Sequence, residues 1–216
     1  MSNTDSFINE VTEEVRRDKL YALFRRWAWL GVLIILLVVG TAVFVEWQKI
    51  RRAQVAQAAG DALLDALEAD DPAARAAALA DSGVDGPLPP LLVAGQLLLA
   101  DDRDGAVATL QALADDPAQP ALYRDLARLR ALMLQAGVMP PEERITALQP
   151  LAIAGATFAP LAQEQIALAR IEAGDVDGAR STLDALLADA ATPPGLRSRA
   201  EALRMALGEP DGQEEP

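Results

Sequence analysis

The stretch YRDLARLR, residues 123–130, carries the basic side chains best spaced to bind an anionic group. Arg124 and Arg128 are four residues apart, so on a helix they lie one turn apart on the same face. Two guanidinium groups at this spacing can donate charge-assisted hydrogen bonds to a carboxylate of a partner protein. The alternative, which we favour, is that they pair with Asp125 or with acidic residues of the neighbouring turn. Tyr123, Arg124 and Arg128 are the candidate protein-binding residues.

Carboxylates are the other groups that could do chemistry, and they cluster where the sequence pattern predicts turns. Helix capping explains these positions, because aspartate is a preferred N-cap residue. The stretch DDRDG lacks the spaced ligands and the closing glutamate of a calcium loop. The clusters are Asp70 with Asp71, Asp101 with Asp102 and Asp104, and Asp115 with Asp116.

Other catalytic chemistry lacks the residues that it needs. The sequence has no cysteine and no histidine, so it offers neither a thiolate nor an imidazole as nucleophile, base or metal ligand. It has no glycine-rich phosphate loop and no nucleophile motif. We therefore predict a protein that is not an enzyme and that uses no cofactor, no metal and no small-molecule substrate. A formal net charge of −13 at pH 7 argues against a nucleic-acid partner as well.

A long apolar run lies near the N-terminus. Residues 27–45 contain no charged residue, although 24% of the chain is charged. As a helix at about 1.5 Å per residue, the run is about 28 Å long, close to the roughly 30 Å hydrocarbon core of a bilayer. Trp27, Trp29 and Trp47 mark its two ends, as aromatic residues do at membrane interfaces. The run predicts a transmembrane helix, which we assign to residues 27–47.

Two other interpretations of the apolar run are open. A cleaved signal peptide normally has a short basic segment before its apolar core, whereas twenty-six residues precede Trp27 and five of them are acidic. A weak small-residue cleavage site is nevertheless present at residues 40–42. A buried helix of a soluble domain would need a large apolar core around it, and the flanking sequence is polar and rich in alanine. An uncleaved signal anchor is the preferred interpretation.

Charged residues near the run indicate its orientation. Five basic residues closely precede the span and three follow it, which favours a cytoplasmic N-terminus. Residues 53–216 hold 11 basic and 26 acidic residues, and so acidic a domain suits an extracytoplasmic space better than the anionic cytoplasmic leaflet. We predict a single-pass protein of the bacterial inner membrane with a periplasmic main domain. The predicted membrane-interface anchors are Arg25, Arg26, Trp27, Trp29, Trp47 and Lys49.

Three further segments flank the span and the main domain. Residues 1–26 have apolar residues at helical spacing, which predicts either an amphipathic helix on the cytoplasmic face or a partly ordered tail whose bases only set the topology. Residues 48–86 predict membrane-proximal helices, and the first of them can continue directly from the span. Residues 209–216, EPDGQEEP, predict a disordered acidic tail.

Residues 87–208 contain an internal repeat. The stretch DRDGAVATLQAL matches DVDGARSTLDAL, 73 residues later, at eight of twelve positions. A degenerate copy, QAGVMPPEERITALQPL, lies between them. Turn residues at Asp102, Gly137, Gly174 and Gly208 are spaced by 35, 37 and 34 residues, which is close to the period of tetratricopeptide repeats.

These patterns together predict an all-α fold. In it, a single transmembrane helix is followed by an α-solenoid of degenerate tetratricopeptide-like helical hairpins. Glycines are expected at the turns, small residues where helices cross closely, and leucines in the seams between helices. An irregular helical bundle is the alternative. The predicted repeat-packing residues are Gly105, Ala106, Leu110, Gly137, Ala167, Gly174, Gly178, Ala179 and Leu183.

The order of these features resembles that of a known family. The leader DSFINEVTEEVRRDKLYALFRRW, one span, and repeats such as LYRDLARLRALML and ARIEAGDVDGARSTLDALL follow one another along nearly the whole chain. In this order they resemble the alphaproteobacterial branch of the tetratricopeptide-like inner-membrane proteins related to the ancillary subunit of the SecYEG translocon (YfgM-like). The proline-rich stretch at residues 87–90 and the degenerate middle repeat depart from that family.

The resemblance implies a periplasmic repeat domain that contacts SecYEG and a membrane-anchored periplasmic chaperone or prolyl isomerase, and that helps newly exported proteins. We therefore predict a non-enzymatic, membrane-anchored scaffold that serves protein export. The alternative is an assembly or stabilising subunit of another inner-membrane complex, such as a respiratory one, because such a subunit would have the same architecture.

Overall fold

The computed structural model describes the backbone of residues 3–208 and the side chains of residues 29, 30 and 33–208. This part of the chain is all-helical, with nine α-helices, one short 3₁₀ helix and no β-strand. The predicted acidic tail, residues 209–216, lies outside the described residues. The α-helices are α1 (Asn3–Leu67), α2 (Pro72–Ala80), α3 (Leu88–Leu99), α4 (Arg103–Asp115), α5 (Ala121–Leu134), α6 (Pro141–Leu148), α7 (Ala159–Glu172), α8 (Val176–Ala188) and α9 (Pro194–Ala206).

The chain divides into two compact units. The first ends at Gly60 and the second begins at Asp61, inside the segment that was predicted to be membrane-proximal, residues 48–86. Helix α1 is unbroken from Asn3 to Leu67, so the helix continues directly beyond the predicted span. The backbone of most of the predicted leader belongs to the same helix, but the side chains of the leader lie outside those described.

In the first unit, the apolar side chains of α1 have no protein around them. Every side chain from Leu33 to Val45 is exposed. Within the described chain, Leu33–Leu67 is the one stretch of helix that is long and apolar enough to cross a membrane. This exposure argues against the buried-core interpretation of the apolar run, because exposing apolar surface to water costs about 25 cal/mol per Å². The signal anchor and the cleaved signal peptide remain.

In the second unit, consecutive helices pack against each other. Helix α2 packs on α3, α3 on α4 and α4 on α5, and the series continues with α6 on α7, α7 on α8 and α8 on α9. Alanines let the helices approach closely, since Ala106, Ala167 and Ala179 have no accessible surface. Leu110 and Leu183 fill the seams beside them and are also fully buried. The predicted packing residues with side chains therefore lie in the core.

The internal repeat is visible in the bounds of the helices. Helices α4 and α8 begin 73 residues apart and end 73 residues apart. Helices α3 and α7 end 73 residues apart, and α5 and α9 begin 73 residues apart. We call α2–α5 the first half of the second unit and α6–α9 its second half.

The repeated motif D-x-D-G is a helix cap. The carboxylates of Asp102 and Asp175 accept hydrogen bonds from the backbone N–H groups of Gly105, at 2.9 Å, and Gly178, at 3.0 Å. A Cβ atom on either glycine would overlap the carboxylate of its cap. The motif therefore pairs an N-cap aspartate with a glycine that lets the carboxylate come close.

Residues in the left-handed conformation end the helices that precede the repeat turns. Gly137, Gly174 and Gly208 have φ values of 75°, 78° and 71°. In the first of these turns the left-handed residue is Asp101, with φ 59°, and not Asp102. The predicted turn residue is thus one position too late, because Asp102 is the N-cap of α4. With this correction, Asp101 and Gly174 are 73 residues apart.

The two features that depart from a regular repeat have local explanations. Pro89 and Pro90 lie in the first turn of α3, where a missing N–H leaves no hydrogen bond unmade, so the proline-rich stretch begins a helix. The degenerate middle repeat forms the eight-residue α6, which passes directly into the 3₁₀ helix Gln149–Leu151. On α6, the buried guanidinium of Arg144 pairs with Glu172 at 2.7 Å and ties the short helix to the end of α7.

Candidate functional site

The predicted basic cluster does not form one open anion site. Arg128 lies 3.6 Å from the carboxylate of Asp115 and donates a hydrogen bond to the carbonyl oxygen of Ala114 at 3.4 Å. Arg124 is half-buried, and its Nε is buried without a hydrogen-bond partner among the described residues. Tyr123, on the same helix, is 37% exposed. For Arg128 the structure therefore shows pairing with a neighbouring turn.

Asp116 belongs to the same turn. Its carboxylate accepts hydrogen bonds from the backbone N–H of Ala118 at 2.9 Å and from the side-chain amide of Gln119 at 3.0 Å. These two hydrogen bonds hold the pKa of Asp116 below its usual value, and the positive charge of Arg124 adds to the effect. Asp116 thus stabilises the turn and balances part of the charge of Arg124.

A larger candidate site lies between α5, α7 and α9. It is an open cavity of about 630 Å³ with mainly apolar walls, which we call the apolar groove. Its volume falls within the range of about 300–1,000 Å³ that is usual for binding sites. Its walls include Met133 on α5, Leu161, Glu164 and Leu168 on α7, and Arg199 and Leu203 on α9.

Helical spacing explains why these residues share one surface. On α7, Leu161, Glu164 and Leu168 occupy positions i, i+3 and i+7, which lie on one face of a helix. On α9, Arg199 and Leu203 are one turn apart. The packing of α7 against α8, and of α8 against α9, brings the two faces to the same side of the unit.

An ion pair interrupts the apolar wall of the groove. Nε and Nη2 of Arg199 donate hydrogen bonds to the two carboxylate oxygens of Glu164, at 2.7 Å and 2.9 Å. The Glu164 side chain is 7% exposed and that of Arg199 is 56% exposed. The carboxylate is therefore covered, and the guanidinium is presented to the solvent. The hydrogen bond to Glu164 and its negative charge raise the pKa of Arg199.

A second cavity, of about 360 Å³, adjoins the apolar groove. The two cavities share Leu161 and Arg199 as walls. The remaining walls of the smaller cavity come from the segments that precede α7 and α9, and they include Thr157 and Pro193. Arg199 therefore stands at the boundary between two adjoining cavities.

A third cavity, of about 400 Å³, has a mixed character. It lies between α4, the turn after α5 and α6, and its walls include Arg103, Asp104 and Glu143 beside apolar side chains. Arg103 donates a hydrogen bond to the carbonyl oxygen of Ala136 at 3.2 Å, so it holds the turn in place. Within the described chain, no group of three or more acidic residues is placed to hold a metal ion.

The described membrane-interface anchors lie on the exposed surface of α1. Trp29 and Trp47 are exposed, and the guanidinium of Arg51 lies 4.3 Å from the ring centre of Trp47. Lys49 lies 3.7 Å from the carboxylate of Glu46. The side chains of three further anchors lie outside those described: Arg25, Arg26 and Trp27.

Sequence reasoning selected the arginines of α5 and missed Glu164 and Arg199. These two residues are 35 positions apart on different helices, so no local spacing joins them. A signal was nevertheless present, because the positions 73 residues earlier hold Leu91 and Leu126. Alignment of the two halves shows a pair of opposite charges that replaces a pair of leucines.

Comparisons of the chain with protein-family models, with curated proteins and with solved structures gave no match. The function is therefore inferred from the geometry of the chain and from its sequence.

Proposed function

We propose that this protein is a non-enzymatic, membrane-anchored scaffold that binds segments of other polypeptides in its apolar groove. The groove itself is the observation that carries this proposal. It exposes Met133, Leu161 and other apolar side chains in a domain that is otherwise strongly acidic. Contiguous exposed apolar surface with a polar surround is typical of protein interaction sites, and methionine and leucine side chains adapt to different partners.

The repeated architecture supports the same function. The groove is lined by α5, α7 and α9, which are alternate helices of the chain. In an α-solenoid, one set of alternate helices lines a concave surface, and such surfaces bind protein segments. We propose that the second unit is a short α-solenoid of tetratricopeptide-like hairpins whose concave face contains the groove.

We propose that residues 27–47 anchor the scaffold in the bacterial inner membrane, with the N-terminus in the cytoplasm and the second unit in the periplasm. The exposed apolar surface of α1 and the bias of basic residues toward its N-terminal side support this topology. The anchor would confine the scaffold and a membrane-bound partner to one surface. Their effective concentration would rise, so that weak contacts in the groove suffice.

The proposed partners are the SecYEG translocon and a membrane-anchored periplasmic chaperone or prolyl isomerase. The resemblance to YfgM-like proteins in the order of leader, span and repeats supports this choice. The clients would be newly exported chains, which expose apolar side chains until they fold.

Site-specific crosslinking tests the proposal. A photoreactive residue at Leu168 in the groove should capture translocon subunits or emerging secretory chains in intact membranes. The same residue at Ala185, which is exposed on α8 and does not line the groove, is the matched control. Capture of respiratory subunits in place of the translocon would favour the alternative function, and equal capture from both positions would argue against a groove-directed scaffold.

The topology has its own test. Protease added to spheroplasts should digest residues 53–216 and spare the leader. Arginines at positions Leu36 and Val39 should prevent stable insertion, because each costs about 3 kcal/mol at the centre of a bilayer. Resistance of the second unit to protease, or unchanged membrane retention of the double arginine variant, would contradict the proposed topology.

A further inference from the structure

Arg199 has hydrogen-bond donors that the protein leaves unused. Nε–H and one N–H of Nη2 bind Glu164, and Nη1 reaches the carbonyl oxygen of Gly195 at the long distance of 3.4 Å. The second N–H of Nη2 and one N–H of Nη1 have no acceptor among the described residues. With a side chain that is 56% exposed, these donors are open to solvent where the two cavities meet.

The acceptor that suits these donors is an uncharged carbonyl oxygen. Glu164 already neutralises Arg199, and residues 53–216 hold 26 acidic against 11 basic residues. A second carboxylate beside Glu164 would meet repulsion from that carboxylate and from the acidic domain. A carbonyl oxygen avoids this repulsion and still gains from the charge on the donor, which strengthens the hydrogen bond.

A polypeptide offers free backbone carbonyl groups mainly where it is extended. In an α-helix the carbonyl groups bind N–H groups of the same helix, except in the last turn. An extended segment presents a carbonyl group at every residue and directs successive side chains to opposite sides. Such a segment could place one carbonyl oxygen at Arg199 and apolar side chains in the cavities on either side of it.

We propose, as an extension of the scaffold function proposed above, that the apolar groove binds extended polypeptide segments and that Arg199 donates to a backbone carbonyl group of the segment. Glu164 is a positioning residue, because its buried carboxylate holds the guanidinium by two hydrogen bonds. The first half, with Leu91 and Leu126 at the equivalent positions, has no such donor pair. The anchoring of the backbone is therefore a property of the second half.

Two labelled peptides test this inference with the full-length chain in lipid nanodiscs. One contains leucine, serine and proline, and proline keeps it extended. The other contains the same number of leucines with glutamine and alanine, and it is helical. Fluorescence anisotropy should show tighter binding of the extended peptide to the wild-type chain.

The decisive variant is the double substitution Glu164→Leu with Arg199→Leu, which installs the residues of the first half. It makes the groove more apolar, yet it should weaken binding of the extended peptide by about tenfold, the usual effect of losing a charge-assisted hydrogen bond. Binding of the helical peptide should not weaken. The control Leu168→Ser, which removes apolar wall and keeps Arg199, should weaken both peptides.

The outcomes separate this inference from the scaffold function. Binding of the extended peptide to the double variant with undiminished affinity would overturn the role of Arg199, and so would a wild-type preference for the helical peptide. In either case the groove still binds a polypeptide. If neither peptide binds the wild-type chain and position 168 captures no protein in membranes, the scaffold function fails as well. The wild-type preference needs no substitution, so it decides the question even if the double variant does not fold.

Discussion

The two halves of the second unit have the same frame and different groove walls. Helices α4 and α8 are equal in length, begin with the same aspartate cap and bury the same alanine and leucine positions. On the helices beside them, the first half has the half-buried Leu91 and Leu126 where the second half has Glu164 and Arg199. Positions that are the same in both halves maintain the fold, because they pack helix against helix. Positions that differ face outward, and they are where a partner can be recognised.

The halves also differ at their ends. Leu132 on α5 is 6% exposed and packs with Leu148 and Ile166 of the following helices. The equivalent residue on α9 is Met205, which is 75% exposed, because no further helix of the described chain covers it. Helix α9 therefore ends the stack, as the terminal helix of a repeat protein does.

The largest expected effect separates these two equivalent positions. Leu132→Ala should reduce the free energy of unfolding by about 2–5 kcal/mol, because it leaves a cavity in the core. Met205→Ala should change it by less than about 0.5 kcal/mol, as surface substitutions do. Hydrogen exchange of the full-length chain in detergent, read in peptides from α5 and α9, measures both. Equal losses would show that the outer face of α9 is covered, and the comparison of the two ends would fail.

The ion pair should show an asymmetry that the first half explains. Arg199→Leu leaves the buried carboxylate of Glu164 unpaired and should cost about 3 kcal/mol. Glu164→Leu leaves only an exposed guanidinium, which water can solvate, so it should cost less than about 1 kcal/mol. The double variant should be close to wild type in stability, since the first half folds with two leucines there. Urea unfolding followed by circular dichroism checks all three, and additive losses would contradict the equivalence.

The cap glycines should resist a substitution that usually stabilises helices. Gly178→Ala places a Cβ against the carboxylate of Asp175 and should cost about 1 kcal/mol through loss of the cap. Gly95→Ala on α3 is the matched control, because its Cβ would meet nothing. The control should gain up to about 1 kcal/mol from helix propensity. Thermal unfolding of both variants decides the matter, and a gain for Gly178→Ala would refute the close approach.

The smallest expected effect concerns the left-handed residue of the repeat turn. Asp101→Gly should stabilise the chain by at most about 1 kcal/mol, because it relieves a conformation that side chains disfavour and adds some freedom to the unfolded state. Gly174→Asp should have the opposite sign and a similar size. The same thermal unfolding measurement compares the two, and a loss of stability for Asp101→Gly would show that the Asp101 side chain makes a contact that matters.

The features that could be predicted from the sequence are local ones. The D-x-D-G stretches mark two helix starts because an N-cap and its glycine are three residues apart. The apolar run predicts one helix able to cross a membrane because its length and lack of charge suffice. Even here one detail was wrong by a residue, since an aspartate in the left-handed conformation, Asp101, looks like any other acidic turn residue. The pairing of Arg128 was open, because Asp125 and the turn acids are equally near in sequence.

The sequence by itself determined that the described chain is helical, where its repeat lies and which of its segments is apolar enough for a bilayer, because caps, turns and periodicity act over a few neighbouring residues. Only the tertiary structure decided that Met133, Leu168 and Leu203 form one surface and that Glu164 meets Arg199 within it. Those contacts join helices that are tens of residues apart. They arise from the way α5, α7, α8 and α9 pack, and no spacing within a single helix encodes that packing.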